Sequence, residues 1–125
     1  MSHTLVVDAA NVVGARPDGW WKDRAGAARR LHEGLVTADL PHDRIVLVLE
    51  GAAKGGPRPG RDGHVQTVHA PGAGDDTIVA QARRAVEAGD RVTVVTADRL
   101  LRGRVEAVGA RTAGPQWLLD EIDGG

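Results

Sequence analysis

Hydrophobic positions follow two rhythms along the chain. Three short runs, Thr4–Val7, Ile45–Leu49 and Val92–Thr96, are almost continuously apolar or β-branched. That is the pattern of strands buried on both faces of a parallel sheet. A fourth, His64–Val68, alternates more and predicts an edge strand. Between the runs the spacing is helical. Residues 21–38 carry Ala25, Ala28, Leu31, Leu35 and Val36 on one face, with Pro41 closing the segment. Residues 75–88 place Ile78, Val79, Ala82, Ala85 and Val86 together, start on two acids and stop at Gly89. Residues 98–108 read as a third helix, interrupted by Gly103 and ended by Gly109. Pro115 opens a fourth helix over 116–122, after a short strand near 110–112. Residues 51–63 (GAAKGGPRPGRDG) are too rich in Gly and Pro for a helix and read as an irregular loop, and residues 120–125 read as a frayed tail. There is no internal repeat. Strand–helix alternation of this kind predicts an α/β fold with a mostly parallel sheet of four to five strands and right-handed crossovers.

Composition narrows the class. At 125 residues the chain fits a single domain over 1–125. With 42% hydrophobic and 26% charged residues it can form a core of its own. No apolar run reaches the roughly 20 residues of a membrane helix, and MSHTLVVDAA lacks the basic start of a secretory signal. No membrane association is expected. The absence of cysteine removes disulfides, thiolate zinc sites and cysteine nucleophiles, and makes the cytoplasm the expected compartment. The net charge of −1 means that a nucleic-acid surface has to be a local patch. The 14 Arg against two Lys, beside abundant Ala and Gly, match a GC-rich coding bias and need no functional reason. There is no Phe or Tyr, so the core rests on Val, Leu, Ile and Ala.

The acids fall at telling places. Ligands of open parallel sheets bind beyond the carboxyl ends of the strands. The first strand runs into Asp8, Ile45–Leu49 into Glu50, and Val92–Thr96 reaches Asp98 two residues past its end, while Asp75 and Asp76 open the helix after His64–Val68. Five carboxylates from four regions would repel one another unless a cation neutralised them. An all-oxygen donor set without Cys or a well-placed His suits Mg²⁺ or Mn²⁺, and such a site can activate water against a phosphoryl centre. Against this, Asp is common at strand ends and helix caps for local reasons alone. Asp75 in particular reads as a cap when taken by itself.

These residues resemble the NYN/PIN-like nuclease superfamily, especially its YacP-like bacterial branch. VVDAANVVG looks like the family's first motif, with Asp8 and Asn11. GAGDDTIVAQA is similar to its second acidic motif, and VTVVTADRLLRGRV to its third, a strand running into Ser/Thr-x-Asp. GARTAGPQWLLDEI is similar to the branch's close. The resemblance covers nearly the whole chain in the family's order. It implies a PIN-like three-layer α/β/α sandwich and a metal-dependent ribonuclease in which Asp8, Asn11, Asp75 and Asp98 are catalytic. Asp8, Asp75, Asp76 and Asp98 would be metal ligands and Glu50 outer shell. Two departures matter. Ala9 replaces the usual aromatic or Gly, and Arg99 or Arg102 stands where many relatives carry a fourth acid, so one ion is implied rather than two.

An RNA substrate calls for cations near this rim. Lys22, Arg29 and Arg30 fall on one side of the first predicted helix, and Lys54, Arg58 and Arg61 on the Gly/Pro connection, which as a flexible basic loop at the same rim could close over phosphates. A solvated loop is the bland alternative, and Arg102 can pair with Asp98 four residues earlier. Of Trp20 and Trp21, one is expected to pack under the rim as an apolar anchor, with base stacking as the other reading. Trp117 is expected in the core. GAAKGGPRPG lacks the Gly-Lys-Ser/Thr close of a P-loop. Two readings compete with the ribonuclease: a catalytically weak PIN-like module binding RNA or a partner, and a PIN-type toxin paired with an antitoxin. A homodimer is compatible with the sequence, which fixes no oligomeric state.

Overall fold

The computed structural model describes residues 2–124. Six strands form one sheet: β1 (His3–Asp8), β2 (Arg44–Leu49), β3 (Gly60–Asp62), β4 (Val65–His69), β5 (Arg91–Val95) and β6 (Arg111–Ala113). Their order is β3-β4-β2-β1-β5-β6. All neighbours are parallel except β3, which runs antiparallel to β4. Five helices surround the sheet: α1 (Ala9–Gly14), α2 (Arg24–Thr37), α3 (Gly74–Glu87), α4 (Arg99–Ala107) and α5 (Pro115–Asp123).

Strand alternation sorts the core into two halves. Leu5, Val7, Ile45, Leu47 and Leu49 point to one face and pack against Val12 of α1, Leu31 and Leu35 of α2, and Leu118 of α5. Val6, Val46, Val48, Val92 and Val94 point to the other, against Ile78 and Val79 of α3 and Leu101 and Val105 of α4. The result is the expected three-layer α/β/α arrangement. Aliphatic side chains carry both halves. Trp117 is only partly buried, at the margin of the first.

Four expectations need correction. The sheet has six strands rather than four to five. The extra one, β3, lies in the connection read as irregular, which also contains a 3₁₀ turn over Gly51–Gly55. A three-residue strand offers no period to detect. β3 forms the edge, so β4 is an interior strand despite its alternating sequence. The short helix α1 follows β1 directly and was not foreseen, because six residues span under two turns. The C-terminal segment is not frayed up to Asp123: α5 runs that far, and Asp123 pairs with Arg16 at 2.7 Å; Gly125 lies outside the described residues. Among the described residues no helix is long and apolar enough to cross a membrane.

The connection after β2 is pinned rather than loose. A Cβ on Gly56 would sit 2.5 Å from the Ala25 carbonyl oxygen, so only glycine lets the loop press on α2. Arg29 donates to the Gly55 carbonyl (3.0 Å), Lys54 to the Ala70 carbonyl (2.9 Å), and His69 Nε2 reaches the Pro57 carbonyl (2.8 Å).

Candidate functional site

Parallel strands deliver their carboxyl ends to one rim, and three short connections start there. Asp8 closes β1 and is the N-cap of α1. Its side chain accepts from Asn11 N (3.5 Å) and, at 2.7 Å, from Asn11 Nδ2. Asp98 follows β5 and caps α4, accepting from Leu101 N at 3.1 Å. Thr96 lies between them and is fully buried. Its hydroxyl donates to Asp8 Oδ2 (2.8 Å) and accepts from Asp98 N (3.2 Å). Asn11 Oδ1 accepts from Ala97 N at 3.3 Å. Asn11 and Thr96 thus lock the ends of β1 and β5 together through the Asp8 carboxylate.

The other side of the rim is held by Glu50. Its Oε2 accepts from Gly74 N at 2.8 Å, satisfying a backbone donor that α3 leaves open, since the N-cap Ala73 has no capping side chain. A Cβ on Gly74 would come within 3.4 Å of the Glu50 carboxyl carbon and Oε1, so glycine gives that carboxylate room. Asp75, one residue on, makes no capping bond. The capping expectation therefore fails for Asp75 and holds for Asp8 and Asp98.

The rim raises two of its four acids. Burial pushes the Asp8 carboxyl above the usual carboxylate range, against the hydrogen bonds from Thr96 and Asn11, and the Glu50 charge adds to the rise. Asp75 is raised as well, first by desolvation, then by the charges of Asp98 and Glu50, with Arg104 opposing. A carboxyl raised in the folded state favours folding at low pH, and that advantage is lost as pH rises through its folded value. Ion-free protein is thus strained by this rim at neutral pH. Asp75→Asn is expected to leave its melting temperature at pH 7 in chelator unchanged or higher; a clear drop would make Asp75 a structural partner. Asp98→Asn can still cap α4 and should behave alike, whereas Asp98→Ala loses the cap, about 1 kcal/mol.

Asp76 stands apart. Its side chain is 91% exposed and pairs with Arg104 at 2.8 Å. Arg102 does not pair with Asp98; its Nε donates to the Thr96 carbonyl at 3.2 Å. The donor set at the rim is all oxygen, with one oxygen each of Asp98 and Glu50 not used in the bonds above, and it suits a hard divalent cation. Among the described residues no three acidic or His side chains already stand at ligand spacing, so an ion would have to draw them in.

The basic residues divide. Lys54 and Arg29 hold the connection after β2, as described, and so that connection is not a free flap. Arg30 lies 3.6 Å from Asp18. Arg61 is not at the acidic rim: β3 runs back antiparallel to β4 and sets Arg61 opposite Gln66, near the start of that strand. Arg58 and Arg61, with Arg29 and His32, line a groove of about 320 Å³ along the flank of α2. Lys22 lies exposed in a 3₁₀ turn, Trp20–Lys22, before α2. Trp20 is half-buried and Trp21 57% exposed, and Trp20 lines an open cleft beside the rim. Sequence reasoning assigned no part to Thr96, although it is the Thr of the Thr-x-Asp pattern, or to Arg24, whose guanidinium lies 5.2 Å from the Trp20 ring centroid.

No protein-family model matches the chain, and no curated protein does either. Solved structures do. The chain is similar to Rae1 (YacP) from Bacillus subtilis, with a TM-score of 0.67 at 19% identity over 96% of this chain and 73% of that one. A point mutant of the same protein superimposes with a TM-score of 0.76, also at 19% identity, covering 97% of this chain and 75% of the other. The chain thus has a YacP-like fold.

Proposed function

We propose that this chain is a metal-dependent ribonuclease that hydrolyses RNA phosphodiesters at the acidic rim. The observation that supports it best is the convergence of Asp8, Glu50, Asp75 and Asp98, from four connections, with Asp8 raised by burial and the Glu50 charge and Asp75 by burial and the charges of Asp98 and Glu50. Perturbed carboxylates gathered at the carboxyl end of a parallel sheet are where catalysis is sought first. The YacP-like fold and the three motifs in order agree with it.

Asp8, Asp75 and Asp98 would hold Mg²⁺ or Mn²⁺, with Glu50 beside them. A hard divalent cation bound there supplies Lewis acidity at a phosphoryl oxygen and eases deprotonation of water. Asn11 and Thr96 fix the Asp8 carboxylate in one orientation, so little reorganisation is left for the reaction. Arg58 and Arg61, which have no acidic partner among the described residues, offer guanidinium groups to the RNA backbone, and Lys22 an ammonium. Asp76, paired with Arg104 on the exposed side, is left out of the ligand set.

A Mn²⁺ titration of the protein, followed by melting temperature and by cleavage of a labelled RNA, tests the reading. Both should rise together, the first as RT ln(1 + [L]/Kd). A second reading, an RNA-binding module without chemistry, is favoured by the absence of preassembled ligand spacing at the described rim; RNA binding with neither response would select it. For the groove, Arg58→Ala with Arg61→Ala should weaken all RNA sequences alike. It should also flatten the slope of log K against log salt by up to about 1.4, at roughly 0.7 per phosphate contact. An unchanged slope would send the RNA past Lys22 instead.

A further inference from the structure

Beside the acidic rim lies a cleft of about 380 Å³, at the small end of the roughly 300–1,000 Å³ typical of small-molecule sites. Ala9, Ala10, Val13, Trp20, Arg24 and Glu50 line it. We propose that this cleft holds one unstacked nucleobase of the RNA, next to the phosphate at the rim. The inference rests on the ribonuclease reading for its substrate and adds the part of that substrate the fold selects.

Three features converge on a base. The first is a pair of planar groups. The Trp20 ring is braced edge-on by Trp21, with centroids 5.9 Å apart, and carries the Arg24 guanidinium at 5.2 Å. Among the described residues Arg24 has no acidic partner. Indole and guanidinium planes are the surfaces on which unpaired bases stack. The second is the acceptor. Glu50 Oε2 is engaged by Gly74 N, which leaves Oε1 for a donor from the ligand. A base amino or imino group, or a ribose hydroxyl, supplies one. A purely apolar ligand would desolvate the carboxylate without return, and a phosphate would be repelled by it. In a duplex the base edges are already paired, so the occupant is single-stranded. The third is position. Ala9 and Ala10 follow Asp8 directly, and Glu50 holds the amide of Gly74, the residue before Asp75, at 2.8 Å. A base lodged between Trp20 and Glu50 therefore lies beside the residues that carry the acids.

The test separates the cleft from the chemistry. Binding of a short, unstructured, labelled RNA is measured by anisotropy in chelator, with an abasic residue placed at each position in turn. Loss of the base at one position is expected to weaken binding by about 5- to 150-fold, the worth of one base–aromatic stack. Trp20→Ala should make the scan flat, and Trp20→Phe should keep the position effect. Because the scan alters the RNA, wild-type protein alone decides the matter even if Trp20→Ala fails to fold. A flat scan with wild-type protein, or no RNA binding at all, overturns the proposal. Cleavage is then measured separately with Mn²⁺. A position effect without cleavage keeps the cleft and removes the ribonuclease reading; cleavage with a flat scan does the reverse.

Discussion

Asp8→Asn is expected to lower RNA cleavage about 10³-fold, equivalent to roughly 4 kcal/mol of lost transition-state stabilisation. It should also remove most of the rise in melting temperature that Mn²⁺ gives the wild type. Asp8 is 4% exposed and ends the central strand β1, opposite Val48 of β2 on one side and bonded to Thr96 beyond β5 on the other, so its position is fixed. The substitution keeps its shape and removes its charge. One carboxylate oxygen already receives two donors, Asn11 Nδ2 at 2.7 Å and Thr96 Oγ1 at 2.8 Å. An amide oxygen facing them can accept both, and the amide nitrogen then loses only the long bond from Asn11 N, which limits the structural damage to about 1–3 kcal/mol. Differential melting in chelator measures that part alone. An equal Mn²⁺-induced rise in wild type and variant would take Asp8 off the ligand list. Cleavage within tenfold of the wild type would remove it from the chemistry.

Asp8 also marks the boundary of what the sequence makes legible. Apolar runs predict β1, β2 and β5 because strands buried on both faces have no other way to be written. Helical spacing predicts α2 to α5 to within a few residues for the same reason of one-sided burial. The rim follows from these elements, since acids at the ends of parallel strands have to share one end of the sheet. What the pattern cannot carry is anything shorter than two of its own periods, such as α1 or β3. It cannot carry direction either: because β3 reverses the chain, Arg61 ends far along β4 from the acids although it lies only a few residues from Arg58. Partner choice is equally silent. Lys54 and Arg29 look like free cations in the sequence, yet they spend their donors on backbone carbonyls, Arg29 on Gly55 within the Gly-rich connection and Lys54 on Ala70 just after β4. Asp76 looks like a twin of Asp75, but successive helical positions point 100° apart and only one of the two can face the rim.

Thr96 shows how a residue with no chemistry of its own can decide whether the rim works. Thr96→Val keeps the shape and deletes the hydroxyl, so Asp8 Oδ2 loses a donor and the Asp98 amide loses its acceptor. Both losses occur beside a side chain with no exposed surface, where an unmade bond costs about 1–3 kcal/mol. The hydrogen bond from Thr96 is also the largest influence holding the Asp8 pKa down against burial. Without it that pKa rises further above the unfolded value. The stability that a raised carboxyl contributes is present at low pH and is lost as pH rises through its folded value. The deficit of the variant relative to wild type should therefore be smaller at acid pH, where the lost amide acceptor of Asp98 remains, and grow towards neutrality in ion-free protein. Its cleavage should fall 10- to 100-fold, about 1.4–2.7 kcal/mol, with the acid limb of the rate profile moved to higher pH. Thr96→Ser restores the hydroxyl and should recover both the profile and the stability. A deficit in Thr96→Val that is independent of pH, with an unmoved acid limb, would mean that the hydroxyl serves packing at the end of β5 and has no hold on Asp8.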